Sequence, residues 1–347
     1  MKNILLILLL ILAFGGCKDD EQVEPEAVVY EDWQKVPSSE INLSNRNVLG
    51  LEGIGEELYI QCYNAFYVLD SNLKKVTNGY KNMNANPLTY TPRFGKEFSV
   101  INNGLGFDIF NNDNPVNSYY GYRVHYPSSV DDRVASVCFT NVNDSRKFDL
   151  LWAVQKDKDS VDYMLDAYEF NEYGNEPINF KRQKLPVYNE DRPTIRDIKR
   201  IDNVVFCTLN GLTYRVVDGL LQDSIRYKLT DIQKFKGGLI ATSEQVWYIG
   251  TEIKRPDGIV YSADFGKTWN YLYTGFFTAK LKVVREEAYL IAGQEIVRLN
   301  AESATSTSIN LDGMEDYVKD ISAIGNKVVV GTDAGVYYKS WESFLNK

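Results

Sequence analysis

Ile324-Gly325-Asn326-Lys327-Val328-Val329-Val330 sets an apolar residue before a three-residue turn and a second apolar run. The same unit stands at Ile54 before Leu58-Tyr59-Ile60, at Phe94 before Phe98-Ser99-Val100, at Phe235 before Leu239-Ile240-Ala241 and at Val284 before Ala288-Tyr289-Leu290. Ile201 precedes Val204-Val205-Phe206 across a two-residue Asp202-Asn203 turn. Glycine and polar punctuation between short β-branched and aromatic runs marks hairpins, and almost no sustained 3.6-residue apolar period interrupts them. The fold class is therefore all-β.

A less regular unit crosses Val134 to Phe170, where Phe148 to Val154 and Tyr163 to Phe170 read as two longer strands. Seven units in about 320 residues give roughly 46 residues each, the period of β-propeller blades built as four-stranded antiparallel sheets. The expectation is a seven-bladed β-propeller over 28–347, with six or eight blades also compatible. Residues 229 to 275 hold one strand-like run more than a blade needs. The last unit, from Val318 through Val336-Tyr337-Tyr338, has room for about three strands, while Val28 to Val36, containing Trp33, is left over. A propeller leaves exposed edges unless its first and last blades are sealed. The segment around Trp33 is therefore expected to pair beside the one around Val336, closing the ring with an N-terminal strand.

One local motif is sharper than the repeat. Ser262-x-Asp264-x-Gly266-x-Thr268-Trp269 follows Gly258-Ile259-Val260-Tyr261. Such a turn needs a carboxylate to accept backbone N–H groups, a glycine for positive φ and an aromatic to pack between strands. This stretch resembles the Asp-box of the sialidase and BNR-repeat propellers, and Gly335-Val336-Tyr337-Tyr338 with Ser340-Trp341 is similar to a decayed copy. The resemblance implies a structural role on an outer hairpin, away from the ligand face. Sialidases also pair a tyrosine nucleophile with a carboxylate, use an aspartate as acid/base and bind the substrate carboxylate with an arginine trio. Tyr90-Thr91-Pro92-Arg93 has the wrong order for their aromatic-Arg-Ile-Pro stretch, and no spacing selects a trio among Arg93, Arg123, Arg196 and Arg285. No catalytic residue is carried over.

Composition narrows the remaining classes. The net charge of -9 and pI near 4.9 lack the basic footprint of nucleic-acid binding. His125 is the single histidine, which removes multi-histidine zinc sites and leaves any triad dependent on that residue. Cys62, Cys138 and Cys207 lie in apolar runs and read as buried small hydrophobes rather than a disulfide framework. No cofactor or metal is expected; 141–146, Asn-Val-Asn-Asp-Ser-Arg, lacks the spacing of a calcium loop and reads as a hairpin turn. Residues 111 to 126 concentrate asparagines and tyrosines. Asn112, Asn114, Tyr119, Tyr120 and Tyr122 form a candidate ligand-contact loop suited to stacking on sugar faces, against the alternative of a polar turn and an aromatic strand.

The N-terminus bears on location. Lys2 precedes an eleven-residue apolar stretch, Ile4 to Phe14, too short to span a bilayer as a helix, and Phe14-Gly15-Gly16-Cys17 closes it. This resembles the lipobox of Gram-negative lipoproteins, with Phe14 in place of the usual Leu. The resemblance implies a signal peptide over 1–16 and lipid attachment at Cys17. Lys18-Asp19-Asp20-Glu21 resembles a tag for transfer to the outer face of the outer membrane, and 17–27 reads as a flexible acidic tether. The expected protein is a lipid-anchored outer-membrane propeller, non-catalytic, that binds a glycan, peptide or protein partner. A divergent glycoside-processing enzyme and a scaffold of an envelope complex are the alternatives.

Overall fold

A computed structural model describes residues 32–41, 47–62, 65–76, 80–81, 93–94, 98–102, 106–111, 123–125, 135–141, 144–155, 161–171, 177–185, 195–209, 212–225, 227–244, 246–247, 254–255, 257–274, 279–301, 304–314 and 316–345. Among them the chain forms seven antiparallel four-stranded sheets, numbered I to VII. Sheet I contains Val48–Ile54, Glu57–Cys62, Ala65–Asp70 and Tyr80–Lys81. Sheet II contains Arg93–Phe94, Phe98–Asn102, Gly106–Asn111 and Arg123–His125. Sheet III contains Ala135–Asn141, Asp144–Gln155, Val161–Phe170 and Pro177–Leu185. Sheet IV contains Ile195–Ile201, Val204–Leu209, Thr213–Val217 and Leu220–Ile225. Sheet V contains Lys228–Phe235, Gly238–Glu244, Gly258–Ser262 and Asn270–Thr274. Sheet VI contains Lys280–Val284, Glu287–Ala292, Glu295–Asn300 and Thr305–Ser308. Sheet VII combines Val318–Ile324, Lys327–Thr332 and Val336–Ser340 with Gln34–Lys35.

Each repeat unit read from the sequence is the first hairpin of a sheet, its apolar residue ending the first strand and its apolar run forming the second. Second strands such as Val204–Leu209 are buried along their whole length, which explains why they read as unbroken apolar runs rather than alternating ones. First strands of successive sheets lie side by side from II to III, III to IV, IV to V, V to VI, VI to VII and VII to I. Apolar clusters fill the spaces between sheets. Leu51, Leu58 and Ile60 meet Val329 and Val336 between I and VII, and Leu151 and Tyr163 meet Ile198 and Val205 between III and IV.

Gln34 stands opposite Tyr338 and Lys35 opposite Tyr337, and the Val36 N–H donates to the Val336 carbonyl at 2.9 Å. The segment around Trp33 therefore does pair beside Val336. Trp33 is buried edge-on against Phe344 of the short C-terminal helix Trp341–Leu345. The surplus run in 229–275 is a small hairpin, Val246–Trp247 with Lys254–Arg255, inserted between the second and third strands of sheet V. Asn141 faces Asp144 across antiparallel strands, so the ends of 141–146 lie in paired strands, while 142–143 fall outside the described residues. Cys62 and Cys207 are buried and in no disulfide, and burial pushes the Cys62 thiol up to about 12. The side chain of Cys138 lies outside the described residues. So do Cys17, the leader and the tether.

Candidate functional site

The first strands carry a polar pattern that the apolar repeat conceals. Counting back four residues from the apolar residue that ends each strand gives Asp197 before Ile201, Asp231 before Phe235, Asp320 before Ile324, Lys280 before Val284 and Gly50 before Ile54. Successive positions of a strand face opposite ways. The residue after each of these, Leu51, Ile198, Ile232, Leu281 or Ile321, is buried toward the preceding sheet. The fourth-from-last residue faces the following sheet instead.

There the aspartates satisfy backbone N–H groups across the gap. Asp197 Oδ1 accepts from its neighbour Ile198 and Oδ2 from Asp231 N of sheet V at 3.2 Å. Asp231 Oδ2 in turn accepts from Leu281 N of sheet VI, also at 3.2 Å. Asp320 repeats the device from VII to I, accepting from Ile321 N and Leu51 N at 2.9 Å each. Two positions further on, Gln233 Oε1 accepts from Val283 N at 2.8 Å, its Nε2 donates to the Leu281 carbonyl, and Ser322 Oγ accepts from Gly53 N. Lys280 pairs with Asp320 at 2.9 Å, while Lys282 donates to the Leu51 carbonyl and to Glu52 at 2.7 Å. Asp320 is wholly buried. Burial opposes its charge, but Lys280, Lys282 and the Leu51 N–H outweigh that and hold its carboxyl below the usual range. A Cβ at Gly53 would stand 2.1 Å from the Ala323 carbonyl oxygen, so the close approach of sheets I and VII requires glycine there.

A cavity of about 510 Å3 opens where the first strands of IV, V and VI turn back. It is lined by Lys199, Arg200 and Asp202 of sheet IV, Gln233 and Lys234 of V and Val283 of VI. Lys234 is paired with Asp202 at 2.6 Å, and Arg200 grips Asp149 of sheet III through two bonds of 2.5 and 2.8 Å. The cavity thus offers fixed donors and a cationic bias beside an apolar wall, an arrangement suited to holding hydroxyls or an anionic group. The sequence signal for it is the spacing of polar residues by two along first strands, interleaved with the apolar positions of the repeat.

The five residues Ser262, Asp264, Gly266, Thr268 and Trp269 come together in the turn joining the third and fourth strands of sheet V. Asp264 Oδ1 accepts from Thr268 N and from Ser262 Oγ at 2.8 Å, and Oδ2 accepts from Thr268 Oγ1 at 2.7 Å. Ser262 Oγ accepts from Gly266 N, and Trp269 Nε1 donates to the Gly266 carbonyl at 3.1 Å. Burial raises the Asp264 carboxyl, but the bonds from Thr268 and Ser262 overcome it and bring it to about 2. Gly266 has φ of +82° and its Cβ would lie 2.6 Å from the Phe206 ring, so the position excludes a side chain twice over. Ser340, at the corresponding end of the third strand in sheet VII, instead caps the C-terminal helix by accepting from Ser343 N.

The remaining candidates separate. Asn112, Asn114, Tyr119, Tyr120 and Tyr122 lie outside the described residues, between the third and fourth strands of sheet II. Arg285 stacks on Trp341 and donates to the Gly325 carbonyl, which commits it to the turns of VI and VII. The side chains of Arg93, Arg123 and His125 are outside the description. Among the described residues no cluster of metal-ligating side chains occurs, and no helix is long and apolar enough to cross a membrane.

No protein-family model matches the chain, and no curated protein matches it by sequence. Solved structures do. Virginiamycin B lyase from Staphylococcus aureus, in a catalytically inactive form with quinupristin, aligns with TM-score 0.57 at 11% identity over 89% of this chain and 98% of that one. The Pan2 WD40 domain of Neurospora crassa aligns with TM-score 0.55 at 9% identity over 90% and 96%. PorZ, a bacterial surface component of the type-IX secretion system of Porphyromonas gingivalis, aligns with TM-score 0.51 at 9% identity over 89% of this chain and 38% of that one. Likeness at such identity concerns the fold: the chain has a β-propeller-type architecture.

Proposed function

We propose that this protein is a seven-bladed propeller, sealed by Gln34–Lys35 and anchored to the outer membrane through a lipid on Cys17, that binds rather than transforms its ligand. The observation that carries the binding half is the disposition of the first-strand polar groups. Asp197, Asp231, Gln233, Lys280, Lys282, Asp320 and Ser322 are engaged with neighbouring sheets. What remains at the cavity of sheets IV to VI is Lys199 with Arg200 and Lys234, the last two held in place by Asp149 and Asp202, on a rigid wall. Such a wall favours a glycan, with a peptide or protein surface bearing carboxylates as the related alternative. The Asp-box likeness of 262–269 supports a structural part for that turn and leaves recognition to the cavity. The seven sheets, the run of first-strand contacts from II around to I and the terminal pairing support the blade count and the seal.

The test uses the full mature chain on arrays of bacterial glycans and peptides. Binding that falls at least tenfold in Lys199→Ala and Lys234→Ala, with unchanged thermal unfolding, is expected. Turnover of a glycoside, abolished by one carboxylate or tyrosine substitution, defeats the non-catalytic half. Membrane fractionation of Cys17→Ala tests the anchor, which is refuted if the variant still sediments with membranes.

A further inference from the structure

The outermost strand of sheet III differs from every other. Pro177–Leu185 runs for nine residues, whereas the outermost strands of the other sheets run for two to six among the described residues. It carries Lys181, Arg182 and Lys184 and no acid. Cations on an edge strand ordinarily keep other strands away. That explanation fails for its apolar residues, since Ile178 is 64% exposed and Phe180 45% exposed.

Both faces of the strand are built up. On one, Arg182 is fixed by two bonds to buried Asp166 at 2.9 and 2.8 Å and lies over the rings of Trp152 and Phe180 at 4.7 and 5.2 Å. Phe180 continues a stack through Tyr168 to Phe148. On the other face a cleft of about 430 Å3 opens between sheets III and IV. Lys181 and Gln183 line it with Leu165, Val205, Val216 and Leu220, the last 65% exposed. Lys181 makes no ion pair among the described residues.

We propose that Pro177–Leu185 is a docking edge for an extended polypeptide of another protein, one that alternates acidic and apolar side chains and adds as a fifth strand to sheet III. Strand addition draws affinity from main-chain bonds and specificity from pockets that take alternate side chains. The length of the strand supplies the first, the cleft between III and IV supplies the second, and Lys181, the cation left over once Arg182 pairs with Asp166 and Lys184 with Asp162, selects an acidic partner. This surface is separate from the cavity of sheets IV to VI and stands whether or not that cavity takes a glycan.

The experiment titrates the mature chain with blocked octapeptides alternating glutamate with valine, leucine or phenylalanine, read by fluorescence anisotropy. At least one peptide should bind, and weaken tenfold or more in Lys181→Glu and when lysine replaces its glutamates. N-methylation of alternate peptide bonds should abolish binding, since it removes the ladder donors and leaves charge intact. The proposal falls if no peptide binds, or if N-methylation or Lys181→Glu changes nothing. A concentration-dependent dimer abolished by Phe180→Asp would assign the edge to a second copy and overturn it as well. Unchanged thermal unfolding of the variants rules out misfolding as the cause of a loss.

Discussion

Sheets V and III have the same four-strand antiparallel design and treat their outer margins in opposite ways. In V the last turn is clamped by Asp264 over buried Trp269, which meets Phe206 of sheet IV edge-on. Its outermost strand is fastened to the neighbours: the Tyr273 hydroxyl lies 2.7 and 2.6 Å from the Asn300 and Thr305 carbonyls of sheet VI, and Tyr227 packs against Tyr271. In III the outermost strand is tied only to its own sheet, by Arg182–Asp166 and Lys184–Asp162, and its Ile178 and Phe180 side chains reach into solvent. One scaffold thus supports a margin fixed by local hydrogen bonding and a margin left open, and only the second can accept another chain.

Substitutions at the two margins should separate accordingly. Trp269→Ala removes a buried aromatic from the corner of V and should lower unfolding free energy by about 3–5 kcal/mol, measured by denaturant titration. A loss below 1 kcal/mol would mean that the corner is not part of the core. Arg200→Met leaves Asp149 buried without its partner, and breaking such a pair costs about 3–5 kcal/mol at full burial. The loss should sit toward the lower figure because Arg200 keeps some solvent contact.

Asp264→Asn should cost about 1–3 kcal/mol through weakened charge-assisted bonds. It also carries a pH signature. The folded carboxyl titrates at about 2, below its ordinary value of 3.8. Its stabilisation is therefore complete above the unfolded value and disappears as pH falls toward 2. Acid unfolding of the parent and of Asp264→Asn should converge across that window, and parallel curves would refute the assignment. At the open margin Phe180→Ser should shift stability by no more than about 0.5 kcal/mol, as surface changes do. A larger loss there would show that the strand is a structural element like its counterpart in V.

Reading the sequence reached the hairpins because an apolar residue, a turn and an apolar run are local. It reached the partnership of Trp33 with Val336 because an edge must be covered. The aspartates at 197, 231 and 320 were equally visible as Asp-Ile pairs four residues before each turn. Their meaning depends on which sheet follows, and that becomes apparent only when strand faces are assigned. The cavity of IV to VI gathers residues from three units, so no spacing within one unit announces it. The exposed strand of III was hidden for a different reason: Pro177-Ile178-Asn179-Phe180-Lys181 mixes apolar and charged residues as a half-buried strand would, and exposure follows from having no fifth strand beside it among the described residues.

The hydroxyl of Tyr338 donates to Gln34 across a separation of 304 residues. During synthesis the early segment must therefore wait, unpaired, until the final hairpin has emerged. Sheets I to VI can assemble in order as they arrive, while VII cannot finish before almost the whole polypeptide is available. Folding then has a built-in last step, and a ribosome that stalls within the final thirty or so residues yields a body with an unmatched edge, the kind of species that quality control recognises and that aggregates when it escapes.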